Sequence, residues 1–352
     1  MNPETWQQLL SLESREIVQQ WFKRIHSREL NARRASEINA AAKQGREYFK
    51  NANSANYSVR PLLTFYGVSC LSRALLLLMK VHGGEEGLKP SHGLATVGWG
   101  EKMSGDIASG LAKLGDLKIR TLAGLFSEFA THTQNRISIH VHSSAVDWRL
   151  EYDVPDTGQE LTFNDLLVRL PDVGAELKSL GTQTRHAFIN EMSFTKETGF
   201  KAKVSGASFV PIRGAYEGFG YTATEDGEYV VLTCDAATFE KRTPLFTHAY
   251  IGKMFGSIPR LHIAEPFSGG VCFSQLCLTY MVSYVLGMLV RYFPTNWIAL
   301  TQGSKGDAMW PTIHRAQGLV ELTYPELVAE MIFDVLKQSD LRSTSRTCEK
   351  NA

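Results

Sequence analysis

Several common signatures are missing from this sequence, and each absence excludes a class of chemistry. Gly252-Lys253 lacks both the upstream glycine and the following hydroxyl residue of a phosphate-binding P-loop, which excludes ATP-driven chemistry of that kind. No GxGxxG opens a helix after a strand and no GxSxG elbow occurs, so dinucleotide-dependent and α/β-hydrolase readings lose their support. Cysteine is scarce and odd in number. Cys70, Cys234, Cys272, Cys277 and Cys348 form no CxxC pair, which argues for reduced residues of a cytoplasmic protein and against a disulfide or zinc framework. Net charge is also nearly absent. The balance of 37 Lys/Arg against 36 Asp/Glu argues against a dedicated polyanion binder, whose affinity would come from clustered cations. Met1 to Leu12 is polar and amphipathic, so no secretory leader is expected.

What is present is an ordinary globular composition, 43% apolar and 21% charged over 352 residues. That is long enough for two domains, or for one domain carrying a large insertion. Charge is distributed unevenly. Met1 to Arg60 holds ten Lys/Arg against six Asp/Glu, whereas Asp147 to Glu240 holds eight against sixteen. Oppositely charged regions can attract each other or face different partners.

Helical spacing and cap residues predict four helices in the first eighty residues: Asn2 to Leu10, Ser14 to Ile25, Ala32 to Ala52, and Ser58 to about Val81, the last stopping at Gly83-Gly84. The middle is mixed. Leu117 to Thr121 and Ile137 to Val141 alternate like strands, and Leu122 to Thr131 reads as a helix. Phe163 to Leu170 and Gly174 to Leu180 read as short helices. Phe194 to Val204, Gly218 to Thr224 and Glu228 to Cys234 read as strands, with a hairpin turn at Glu225-Asp226-Gly227. Helices return at Val271 to Phe293, Ala308 to Leu319 and Tyr324 to Lys337. The pattern predicts an α+β protein, mainly α, in which N- and C-terminal helices form one bundle around a central β-containing insertion. The boundaries expected are 1–82 for the N-terminal helical part, 83–266 for the insertion, 267–340 for the C-terminal helices and 341–352 for a mobile polar tail. Gly269 to Val290 is uncharged and long enough to cross a bilayer. Its Ser274, Gln275, Thr279, Ser283 and two cysteines favour a buried central helix, and no membrane association is expected.

Two apolar helices about two hundred residues apart carry arginines, Arg60 and Arg73 in the first and Arg291 in the second. A guanidinium beside so much apolar surface needs a partner or a route to water. Gln275, Thr279, Ser283, Gly287 and Arg291 follow at four-residue steps, a packing ridge or a polar seam leading to Arg291. Tyr66, Ser69, Arg73 and Lys80 share a stripe opposite Leu62, Leu63, Leu71 and Leu78.

Four stretches carry a family resemblance: Tyr57-Ser58-Val59-Arg60-Pro61-Leu62-Leu63-Thr64-Phe65-Tyr66-Gly67, His92-Gly93-Leu94, Gly124-Leu125-Phe126, and Leu289-Val290-Arg291-Tyr292-Phe293-Pro294-Thr295-Asn296-Trp297. Together they resemble the YaaC-like family of bacterial proteins, which pairs a basic-Pro helix start and an aromatic-Tyr-Gly with a distal Arg-Tyr and Trp. The resemblance covers the helical ends and a few central landmarks and leaves Asp147 to Pro266 unmatched. It implies kinship of fold and names no reaction.

The search for chemistry yields candidates only. His140 and His142 share one strand face, near His132, as two metal ligands would. Pro171-Asp172 with Glu176 and Lys178 echoes a PD…ExK nuclease over too short a gap. A metal-independent ribonuclease of HEPN type would set Arg and His a few residues apart at a helix start. Arg136 to His142 and Arg242 to His248 have that spacing, but the first reads as a strand and the second contains Pro244. His92 follows the fourth helix in a glycine-containing loop and, with Arg291, is the catalytic candidate. Arg60, Tyr66, Arg73, Tyr292, Asn296 and Trp297 are the binding candidates. No metal and no cofactor is expected. The function expected is a non-enzymatic, cytoplasmic interaction module of a bacterial multi-protein system such as anti-phage defence. Its partner would be another protein or a second copy. The alternative is a HEPN-like or other RNA-directed enzyme, with nucleic acid reached through the basic N-terminal helices.

Overall fold

The computed structural model describes residues 2–136, 152–240, 249–252, 260–304 and 306–350. The N-terminal helices are α1 (Pro3–Leu9), α2 (Arg15–His26), α3 (Ala32–Ser54) and α4 (Arg60–Met79). Polar caps define the first three starts. The side chains of Asn2, Ser14 and Asn31 accept the N–H groups of Glu4, Ile17 and Arg34, each satisfying a donor the helix leaves open. α4 begins instead with Pro61 in its first turn. Its C-terminal carbonyls are covered by side chains: Arg34 donates to Leu77 at 2.7 Å and Val81 at 3.0 Å, and His26 lies 2.9 Å from the Leu78 carbonyl. Burial of Arg34 against these acceptors complements the negative end of the helix.

Two antiparallel sheets follow. The smaller has the order β1 (Leu94–Val97), β2 (Lys118–Thr121), β3 (Glu160–Thr162). Between its last two strands α5 (Leu125–His132) packs against α4. The larger contains β4 (His186–Thr195), β5 (Gly199–Ser205), β6 (Thr222–Asp226), β7 (Tyr229–Cys234), β8 (Ala249–Gly252) and β9 (Arg260–Ala264), in the order β6-β7-β5-β4-β9-β8. The single strand expected over Phe194 to Val204 is the end of β4, a three-residue turn and most of β5. The hairpin expected at Glu225-Asp226-Gly227 forms at Gly227-Glu228, because Asp226 pairs with Tyr229 and Gly227, at φ +64°, takes the first loop position. The strand expected over Ile137 to Val141, with His140 and His142, and the Arg242 to His248 spacing lie outside the described residues.

The C-terminal helices are α6 (Gln275–Tyr292), α7 (Pro294–Thr301) and α8 (Trp310–Lys350). α8 is continuous where two helices and a polar tail were expected, and Pro325 lies inside it. Leu319, Val320, Thr323 and Tyr324 around the proline are all buried. An interior proline costs about 3 kcal/mol, which burial of three such apolar side chains at roughly 1.5–3 kcal/mol each exceeds. Glycines set the closest approaches: a Cβ on Gly287 of α6 would lie 2.8 Å from Phe65 of α4, and one on Gly67 of α4 would lie 2.7 Å from the Phe49 ring of α3.

The chain is thus mainly α with two small sheets, and its terminal helices touch. α4 packs against α3, α6 and α8, and Ser72 of α4 shares a 2.5 Å hydrogen bond with Tyr324 of α8. One apolar core runs from Trp6 through Leu94–Leu177 to Ala264–Leu336, so much of the segment expected as insertion contributes to it. A second, between Ala187 and Ile263, sits under the larger sheet. Among the described residues α4 alone is long and apolar enough to cross a membrane, and 72% of its apolar window is buried within the protein. α6 qualifies only together with α7, across a 107° bend.

Candidate functional site

The structure divides the sequence-predicted residues into two places. Arg60 starts α4 and reaches across to α8, where its Nε donates to Glu321 Oε1 at 2.7 Å and its Nη2 pairs with Oε2. Thr64 donates to the same carboxylate at 3.1 Å, and Gln317 donates to Thr64 and to Glu321 at 2.7 Å each. The pair is about four-fifths buried on both sides. Its bidentate geometry and added donors are what a desolvated ion pair requires. Hydrogen bonding to Glu321 holds the Arg60 guanidinium above its usual range. The Arg60 guanidinium also lies 5.2 Å over the Tyr57 ring. Tyr57 stacks on His314 at 4.9 Å and meets Trp310 edge-on at 5.1 Å. Trp297, only 1% exposed, donates its Nε1–H to the Tyr57 carbonyl at 2.7 Å. Arg60 and Trp297 therefore tie the start of α4 to α8 and α7, and Asn296 is buried beside Trp297.

The second place is on the surface. Tyr66, Arg73, His92, Arg291 and Tyr292 converge from α4, from the loop before β1 and from the end of α6. Antiparallel packing of α4 and α6 explains this: Phe65 meets Tyr284 at 5.5 Å, and one residue further on Tyr66 accepts from Arg291 Nη1 at 3.4 Å. Arg73 stands two turns along the same stripe. The His92 ring packs edge-on against Phe65 at 5.0 Å, and the Tyr280 hydroxyl donates to its carbonyl at 3.2 Å. Gly93, at φ +76°, leaves no room for a Cβ beside the Phe126 backbone, so the His-Gly pair fixes the loop against α5. Burial, followed by the charges of Arg291 and Arg73, lowers the His92 pKa. The ring is therefore neutral at pH 7. Arg291 and Tyr292 are exposed, with the Arg291 guanidinium 5.2 Å from the Tyr292 ring. Arg73 meets Glu85 loosely at 3.8 Å. Arg291 has no ion pair among the described residues.

The polar seam on α6 does not lead to this surface. Thr279 and Ser283 are buried and donate back to carbonyls of their own helix, at Gln275 and Tyr280, which makes the row a packing ridge. The nuclease echo fails too, since Glu176 is paired with Arg315 of α8 at 3.0 Å. Among the described residues no three His, Cys, Asp or Glu side chains come together as metal ligands would.

Common to both places is the frame that the quoted motifs build: Arg60-Pro61 opening α4, Phe65-Tyr66-Gly67 on its packing face, His92-Gly93 wedged beside it, and Arg291-Tyr292 with Trp297 closing from the other chain end. A family profile described as YaaC-like Protein matches residues 10–332. The chain belongs to the YaaC-like family. The YaaC-like match runs through residues 147–266, where the motifs read from the sequence showed no kinship. Comparisons with curated proteins and with solved structures found no match.

Sequence reasoning missed the partners that α8 supplies to this YaaC-like frame: Trp310, His314, Gln317 and Glu321. A signal existed. Gln317 and Glu321 are four residues apart on a helix otherwise rich in buried apolar residues, and Arg60 required an acid.

Proposed function

We propose that this chain is a non-enzymatic interaction module of a bacterial multi-protein system, acting in the cytoplasm. On this reading it docks an acidic partner protein on the Arg73–His92–Arg291 surface. The observation that carries the reading is the convergence of two exposed guanidiniums with Tyr66 and Tyr292, one of those cations lacking any described acid. Arg and Tyr dominate interface hot spots because they combine broad contact area with directed donors. Exposed cations also steer an acidic surface into place. The test is affinity capture from the native host with wild-type chain and with the Arg73→Glu/Arg291→Glu double variant, alongside light scattering. A stoichiometric partner retained by the wild type and lost by the variant is expected. A strict monomer that captures nothing, or equal capture by both chains, would overturn the proposal.

One observation favours an RNA-directed activity instead: a neutral His92 flanked by two arginines could shuttle a proton while guanidiniums hold a phosphodiester. Incubation of total RNA with purified protein separates the readings. EDTA-insensitive cleavage abolished by His92→Ala would replace the binding reading, whereas intact RNA removes the enzymatic one.

A further inference from the structure

We infer that the Arg73–His92–Arg291 surface is one half of a self-complementary face whose occupant is a second copy of this chain, giving a closed two-fold dimer. The inference rests on the docking reading above and names its partner. α6 serves as the ruler. At its start Asn135 Nδ2 donates to the carbonyls of Asp153 at 3.0 Å and Cys272 at 2.8 Å, and Asn135 Oδ1 accepts the Ser274 N–H at 2.8 Å, which fixes Asp153 beside the N-cap. At its other end stand exposed Arg291 and Tyr292. Ser274 and Arg291 are separated by about 26 Å at 1.5 Å per residue. Between them the Tyr280 and Tyr284 hydroxyls donate to the carbonyls of His92 and Leu94 at 3.2 and 3.1 Å. Tyr280, Tyr284 and Arg291 follow at four- and seven-residue steps and so share one side of the helix. The His92 loop and Arg291 therefore lie on the same side.

The charges along this line are opposite at its two ends. Asp153 and Asp156 are exposed and have no ion pair among the described residues, and the same holds for Arg291. At about 26 Å the two ends cannot meet within one molecule, so their charges are left for another. The stretch between them carries apolar side chains. Val154 is exposed between the two aspartates, and Leu122 is exposed at the middle, where its N–H donates to the Gly93 carbonyl at 2.9 Å. Beside it the Gly158 N–H donates to the Thr121 carbonyl at 2.7 Å, which ties the acidic loop to the His92 loop through β2. Tyr292 continues the apolar surface at the basic end. A face that runs from cations through apolar side chains to carboxylates becomes its own complement when turned half a circle about its middle. Two-fold pairing then sets Arg291 against the second copy's Asp153 and Asp156, and does so twice, with Leu122 near the axis. Opposed charges fix the register, and the apolar middle supplies contact area.

The test is sedimentation equilibrium of the full chain with light scattering. A weak dimer is expected, with Kd about 10–100 µM, because exposed ion pairs contribute little each. Raising salt from about 0.1 M to about 0.5 M should weaken it several-fold. The Asp153→Lys/Asp156→Lys variant and the Arg73→Glu/Arg291→Glu variant should each lose about tenfold or more in self-affinity. Mixed in equal amounts, the two should associate again, since each carries the charges the other now lacks. All four positions are exposed, so circular dichroism should show both folds retained. A wild-type monomer at about 100 µM, a dimer indifferent to both variants, or a mixture that stays monomeric would overturn the inference. A wild-type monomer that still captures a host protein through Arg73 and Arg291 would remove this inference alone; one that captures nothing removes the docking reading as well.

Discussion

His186 is 7% exposed at the start of β4, its two ring nitrogens find no hydrogen-bond partner among the described residues, and the His262 ring lies 5.4 Å away. Burial, then the charges of His262 and Lys178, pushes its pKa down to about 3 from 6.5. Between those values the unfolded chain binds a proton that the folded chain refuses. Stability is therefore complete above pH 6.5 and falls as pH drops toward 3, by about 1.4 kcal/mol per pH unit once below the unfolded value. The shifts of His26, His92, His132 and His314 are all downward, with burial first among their causes, and add to the slope in the same direction. Moving from pH 7 to pH 5 should cost the wild type about 2 kcal/mol more than a His186→Leu variant. Urea unfolding of both chains at the two pH values checks this, and parallel losses would show that His186 is solvated. None of this was legible in sequence, where His186 is one of ten histidines and only tertiary packing makes it dry.

At the level of elements, the α4–α6 contact rests on a missing side chain. Gly287→Val would drive branched carbon into Phe65, which is fully buried. Overpacking of this kind, plus poor accommodation of a branched residue in a helix, should lower stability by about 2–3 kcal/mol. Denaturant midpoints measure it, and a neutral outcome would mean that α4 and α6 can separate. The helices themselves were readable from caps and periodicity: Asn2 and Ser14 stand where α1 and α2 begin. Boundaries set by tertiary contacts were not. The sequence reading ends one helix at Leu319 and begins another at Tyr324, yet buried Val320 and Tyr324 hold α8 together across that gap. For the surface site the arginines and His92 were visible as candidates, whereas the separation of Arg60 from Arg291 was hidden. It depends on Glu321, a residue 261 positions from Arg60.

The whole molecule has two apolar cores of unequal size. The smaller, built around Phe200, Ala202, Val204, Tyr216 and Leu232, is the cheaper to open. Phe200 is 1% exposed and stacks on Phe239 at 4.2 Å. Phe200→Ala should destabilise that core by about 3–5 kcal/mol. Hydrogen exchange should then quicken across β4, β5 and β7 and leave α4 and α6 protected; uniform acceleration over the whole chain would show that the two cores unfold as one. Joining them is Glu265, which lies 3.7 Å from Arg169 and 3.5 Å from Arg185 just after β9.

The bend of 107° between α6 and α7 makes that pair an elbow lever with Arg291 at the corner. The short arm, α7, bears on Ile107–Leu111, and the long arm is locked under Phe65. Arg291 thus stands exposed where the two arms part, and the same turn of chain that presents it to solvent seats Asn296 beside Gly110, where a methyl group would come within 3.1 Å of the amide.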